Sequence, residues 1–272
     1  MLTLAASSSA AIGSTTIVVS AMGGGLTVIQ KLALTVTVPP PTLAVSAASS
    51  SMTVINPVEA SSSTQSSTSQ IFTFTGGGSF TGPVSLSVSG LPANLTASWS
   101  SNPLTLSASD SSSSTLTLTA KETSQSGLVS TVAPGTYSIT VTATGDGLTV
   151  VKNIQVEVAG ILVTPSLSSI TIHRGASGIL AVTTTPVGGA NGAVKLALSE
   201  NTILAGVAVQ ASPASIAAPG SGTTTFTFTV SSTATLRSYQ LALSGSMPSN
   251  SNSSTPLLTG SSPGVVTLNI VP

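Results

Sequence analysis

Apolar and polar residues alternate with period two along most of this chain. Val84, Leu86 and Val88 are separated by Ser85 and Ser87, and Leu95, Ala97 and Trp99 by Thr96 and Ser98. Leu116 and Leu118 sit between Thr115, Thr117 and Thr119, and Phe226 and Phe228 between Thr225, Thr227 and Thr229. Each run predicts a half-buried strand with a Thr or Ser row facing water. Threonine suits that row because it is both β-branched and polar. No window of helical period reaches three turns, so the pattern predicts an all-β chain.

One segment occurs twice. Residues 13–36 align without a gap on residues 135–158, at a constant offset of 122 (135 − 13). Gly13, Ile17, Val19, Ala21, Gly23, Leu26, Thr27 and Val28 recur as Gly135, Ile139, Val141, Ala143, Gly145, Leu148, Thr149 and Val150. The match runs on through Leu32/Ile154, Leu34/Val156 and Val36/Val158. A repeat at fixed period marks a tandem array. Gly23-Gly24-Gly25 and Gly145-Asp146-Gly147 fall where two strands must reverse with positive φ, as a tight hairpin requires.

The array divides into three units. The first, 1–38, is expected to hold only the last three strands of a repeat, near 2–6, 15–22 and 26–38. Pro39-Pro40-Pro41 forms a short stiff linker. The second unit spans about 42–159 and the third about 160–272, joined only by Ala159-Gly160. Leu236–Ser244 and Val265–Ile270 are the third unit's counterpart of the repeated hairpin, separated by a Ser/Asn/Pro-rich insertion at 247–263.

Gly82–Ser100, with its Gly90-Leu91-Pro92 turn, then Ser114–Ala120, then Pro134–Ala143, resembles the bacterial immunoglobulin-like repeats of large secreted and cell-surface proteins. The likeness covers the second unit well, the first over its surviving half and the third weakly. It implies tandem Greek-key β-sandwiches with sheets packed face to face, the first only partial. It also places Tyr137 and Tyr239 where that fold often keeps a tyrosine corner, a place taken by Thr15 in the first unit.

Composition narrows the function classes. Charged residues make up 4% of the chain, Lys+Arg and Asp+Glu being 6 each, against about 25% in ordinary soluble proteins. That removes the basic footprint of a nucleic-acid binder and the polybasic stretch of a lipid-docking protein. There is no cysteine for disulfides, thiolate metal sites or nucleophiles. No basic n-region precedes Lys31, so no signal peptide is visible. Mean hydropathy is +0.52, but Ser, Thr and Gly break every apolar stretch, so no membrane insertion is expected.

The candidate chemistry is sparse. Glu59, Asp110, Glu122, Asp146, Glu157 and Glu200 share no local motif, so they read as solvated loop charges. A calcium clamp between modules needs several carboxylates at the join, and only Glu157 is near it. His173, beside Arg174, is the sole histidine and reads as a solvent-facing strand end rather than part of a triad or metal site. Trp99 shares parity with Leu95 and Ala97 and is expected in the core, as are Phe72, Phe74, Phe226 and Phe228. Asn94 and Asn252 fit the N-glycosylation pattern, Asn252 lying in the more polar loop.

The expectation is therefore a non-enzymatic extracellular or cell-surface structural protein without cofactors: a rod of Ig-like units in a filament, stalk or surface layer. Three strands with one apolar face cannot bury it alone. The first unit should be completed through Ile17, Val19, Val28, Leu32 and Leu34. The complement would come from another copy of the chain in a homopolymer, through the missing front half of a cut repeat or through strands lent by a neighbour; the rival is that the first and second units fold onto each other and bury the face within one chain. The alternative is an accessory or glycan-binding array beside a secreted hydrolase or adhesin domain.

Overall fold

The computed structural model describes residues 1, 3–7, 9–56, 65–121, 123–125, 128–200, 204–247, 259–260 and 265–272. Among them there is no helix. An isolated ribbon comes first: β1 (Gly13–Gly23) pairs antiparallel with β2 (Leu26–Val36) over its whole length. Next come β3 (Thr42–Ala47), β4 (Ser51–Ile55), β5 (Gln65–Gly77), β6 (Gly82–Ser89), β7 (Leu95–Trp99), β8 (Leu104–Leu106) and β9 (Ser111–Lys121). A small hairpin, β10 (Thr123–Gln125) and β11 (Leu128–Ser130), leads to β12 (Gly135–Gly145) and β13 (Leu148–Pro165). The remainder is β14 (Ser169–His173), β15 (Ser177–Val187), β16 (Val194–Glu200), β17 (Val207–Ser212), β18 (Ser215–Ile216), β19 (Gly222–Val230), β20 (Ser238–Ser246), β21 (Thr259–Gly260) and β22 (Val265–Val271).

The strand order is that of an immunoglobulin-like sandwich. One sheet runs β3-β5-β9-β7 and the facing one β13-β12-β6-β8, with β4 parallel on the outer side of β13. In immunoglobulin lettering these are ABED and GFC, with a split first strand and a short strand after C. The same plan recurs further on. There β13, β15, β19 and β17 form one sheet, and β14, β22, β20, β16 and β18 the other, with β14 parallel to β22. β13 serves both sandwiches: it pairs with β12 up to Val158 and with β15 from Gly160.

Each sandwich has its own core. Phe72, Phe74, Phe80, Leu116, Leu118, Ile139, Val141, Ile154 and Val156 fill the first. Ile161, Leu180, Val182, Phe226, Phe228, Leu241 and Leu268 fill the second. Trp99 closes the edge of the first core, half-buried, its ring edge-on to Phe72 at 5.5 Å and Phe74 at 6.2 Å. The outward rows are hydroxyls bonded across strands: Ser69 to Thr117 at 2.9 Å, Thr73 to Ser113 at 3.0 Å, Thr75 to Ser111 at 2.8 Å.

Buried polar groups tie the loops to the sheets. Asn56 Nδ2 donates to Thr131 Oγ1 and to the carbonyl of Val132, while its backbone N–H reaches Ala159 O at 2.9 Å. The tyrosine corner is present at Tyr137, whose hydroxyl donates to Ala133 O at 2.7 Å. Tyr239 is buried, with the Arg237 guanidinium 5.8 Å from its ring centroid; among the described residues no return bond of its hydroxyl is seen.

The first unit differs from its expected form. Among its described residues it has two strands where three were expected: residues 3–7 carry no strand, and Ala10 N donates to Ser7 O. A strand needs a ladder partner, and the matching stretch of the second unit holds only the three-residue β10–β11 pair. Both hairpins turn through two residues of positive φ, 56° and 78° at Gly24-Gly25 and 50° and 73° at Asp146-Gly147. These are the type I′ turns that match strand twist.

Burial raises the pKa of Tyr137, whose unfolded value is about 10. A raised acid pKa means that the folded state prefers the proton. The stabilisation is therefore full below about pH 10 and is lost as pH rises through the folded value. Stability followed by Trp99 fluorescence in urea should fall in that alkaline range, and less so in Tyr137→Phe. At neutral pH Tyr137→Phe should cost about 1 kcal/mol. An unchanged urea midpoint would show that the corner contributes nothing.

Candidate assembly site

The ribbon β1–β2 repeats the hairpin β12–β13 in register as well as in sequence. Ile17 faces Leu32 and Val19 faces Gln30, as Ile139 faces Ile154 and Val141 faces Lys152. In the sandwich that face is covered: Ile139, Val141, Ala143, Ile154, Val156 and Val158 are all buried. In the ribbon the same row stands open. Val19 is 42% exposed, Leu26 74%, Val28 67% and Leu32 45%, while Ile17 and Leu34 are half-buried. The five residues expected to form an interface thus lie on one face, and no part of the described chain covers it.

The opposite face holds residues that sequence reading missed. Val18, Met22 and Ile29 are 55%, 81% and 59% exposed. Their counterparts are Thr140, Thr144 and Val151. The signal was the exchange of two threonines for Val and Met at solvent-facing positions of the repeat.

The remaining candidates do not converge. His173 is exposed at the end of β14, its Nδ1 against the carbonyl of Pro272, and Arg174 Nε donates to Ala234 O at 2.6 Å. Asp110 and Asp146 are exposed, Asp146 accepting from Thr81 N at 3.4 Å, and Glu157 is half-buried on β13. Glu59, Glu122, Asn252 and the side chain of Glu200 lie outside the described residues. Among the described residues no three of His, Asp and Glu gather where a metal ion could be held. No helix among them is long and apolar enough to cross a membrane. The five Phe and Tyr239 are buried, and Trp99 and Tyr137 are half-buried. Asn94 stands half-buried in a left-handed turn, φ 65°, with Nδ2 donating to Thr131 O at 3.1 Å. N-glycosylation would leave that nitrogen a single N–H for this bond.

No protein-family model matches the chain, and no curated protein matches it. Solved structures do. The S-layer protein SbsC, domains 4 and 5, is 16% identical over 53% of this chain and 69% of that one, with a TM-score of 0.27. The D00-D0 domain of Intimin is 13% identical over 84% and 99%, with a TM-score of 0.33. Escherichia coli alpha-2-macroglobulin activated by porcine elastase is 10% identical over 96% and 25%, at 0.41. At these identities and scores the likenesses carry no argument of their own. The strand order defines the class, an array of immunoglobulin-like β-sandwiches.

The turn at Asn94 is directly testable. Asn94→Ala loses both the tolerance for positive φ and the bond to Thr131, and should cost about 2 kcal/mol. Asn94→Gly restores the backbone freedom and should cost less. Equal losses in urea unfolding would mean that the left-handed backbone carries no energy here.

Proposed function

We propose that this chain is a non-enzymatic structural segment of an extracellular or cell-surface protein: a rod of Ig-like sandwiches joined to a further Ig-like element through its open ribbon. The observation that carries the reading is β13, which leaves one sandwich and enters the next without a break from Leu148 to Pro165. Its ladder passes from β12 to β15 within two residues, Val158 and Gly160. A join of that kind leaves little freedom between modules and serves as a spacer. The dispersed acids and the outward hydroxyl rows fit a passive scaffold, and the buried aromatics weigh against a glycan-binding array.

Small-angle scattering of the purified chain should give an elongated particle, longer than the compact radius of gyration of about 18 Å expected for 272 residues. Antibodies raised against it should label the outside of intact source cells. A compact particle, or label confined to the cell interior, would overturn the proposal. Inserting Gly-Gly between Ala159 and Gly160 should broaden the distance distribution while leaving both cores folded.

A further inference from the structure

The two copies of the hairpin have diverged unequally, and the inequality follows the two faces. Twelve positions of the ribbon lie on the face that β12–β13 turns inward. Eight are identical in both copies: Gly13, Ile17, Val19, Ala21, Gly23, Leu26, Val28 and Val36. Ten lie on the other face, and one is identical, Thr27. An open ribbon would give no reason to keep one face and release the other. A face that meets the same cover in both copies does.

Gly23 names part of that cover. At Gly145, its counterpart, an added Cβ would lie 2.8 Å from Pro83 O and 3.1 Å from Phe80 Cζ, so β6 and its approach demand glycine there. At Gly23 an added Cβ meets nothing within 4 Å, yet glycine is retained. Gly23 ends β1 beside the turn, yet the positive φ values fall on Gly24 and Gly25, so the turn itself does not require glycine at position 23. The ribbon keeps a seat for a strand that none of the described residues supplies.

We infer that the cover is the front half of an Ig-like unit with the strand set of residues 42–121, carried on the same polypeptide array and leading into Gly13 as Pro134 leads into Gly135. The inference rests on the structural-array reading above and specifies its joint. The register follows from the offset. A strand equivalent to β6 pairs antiparallel with Val18–Met22, as Ser85–Ser89 pairs with Thr140–Thr144. A strand equivalent to β4 pairs in parallel with residues 33–37, as Ser51–Ile55 pairs with Gln155–Ala159. A sheet equivalent to β3-β5-β9-β7 then lies over Ile17, Val19, Leu32 and Leu34.

A second copy of these 272 residues is a poor source. Both of its front halves are already closed, one by β12–β13 and the other by β20–β22. It could offer its own ribbon. Two ribbons stacked face to face would bury only about 350 Å² per partner, from a face roughly 36 Å by 10 Å. A stable interface needs about 800 Å² per partner.

The test is a chain in which a copy of residues 42–134 replaces residues 1–12, placed directly before Gly13, beside the unaltered chain. Amide exchange of Ile17–Val36 should slow at least ~100-fold in the extended chain, the range separating open from core strands. The extended chain should stay monomeric. Gly23→Val should leave the unaltered chain's exchange unchanged and reverse much of the protection in the extended one. A register readout works even where folding is partial. The chain is free of cysteine, so cysteines at Ser20 and at the grafted copy of Ser87 should form one disulfide, as Thr142 opposes Ser87. Pairs shifted to Val19 or Ala21 should not. Fast ribbon exchange in the extended chain, or absence of the in-register disulfide, overturns the inference. So does an unaltered chain that self-associates with its ribbon protected, which would make a second copy the occupant. Each of these outcomes leaves the elongated-particle and cell-labelling tests standing.

Discussion

A two-stranded hairpin cannot bury its own apolar face. In this molecule almost everything depends on what covers the hairpin formed by the last two strands of each unit. Where the facing sheet is present, Ile139, Val141, Ile154 and Val156 are sealed against Phe72, Phe74, Leu116 and Leu118. Cysteine is absent and charged residues make up 4%, so disulfides and ion-pair networks cannot substitute for that burial. At about 1.5–3 kcal/mol for each large apolar side chain, covering four or five decides whether a small sandwich is stable. Open, the same residues leave a strand pair that is marginal in water.

The scarcity of charge shapes the surface as well. Outward rows that other proteins fill with Lys and Glu are filled with Ser and Thr, whose hydroxyls bond to one another across the ladder. Such pairs satisfy their own polarity locally and need no salt-sensitive partner. The buried polar groups do more specific work. Asn56 joins the segment after β4 to the turn before β12 and to the end of β13's pairing with β4. Asn102 imitates a strand neighbour by bonding both backbone groups of Leu86. Ser114 does the same for Ser101.

The tyrosine corner at Tyr137 was expected only through the resemblance to Ig-like repeats; the all-β class, the hairpin turns and the core parity of Trp99 were legible because each is a local pattern with a single physical meaning. The strand expected near 2–6 was not, since alternation marks a residue's readiness to pair but not the presence of a partner. Tyr239 shows the same limit: it occupies the corner position, yet its ring lies by Arg237 and the return bond is not seen. That Ile17, Val19, Val28, Leu32 and Leu34 share one apolar face was legible through the repeat. Val18, Met22 and Ile29 escaped notice because strand parity assigns them to water.

The two joins of the array differ in a way that the offset makes plain. Residues 37–41 correspond to residues 159–163. In the later join Ala159, Gly160, Ile161 and Val163 are buried and continue the ladder onto β15. In the earlier one Pro39, Pro40 and Pro41 stand in place of Ile161, Leu162 and Val163. Proline has no N–H to donate, so the strand cannot run from β2 into the next sheet as β13 does. Three prolines instead set an extended spacer of roughly 9 Å, with no internal hydrogen bonds. Glycine at position 78 accommodates it: a side chain there would collide with the carbonyl of Pro40. The ribbon is thus held to the second unit by covalent stiffness and a close backbone approach, while the second and third units share a hydrogen-bonded strand. A unit completed around the ribbon would fold without drawing on its neighbour's ladder. That independence is what the proposed completion of the ribbon by a separate block of chain requires.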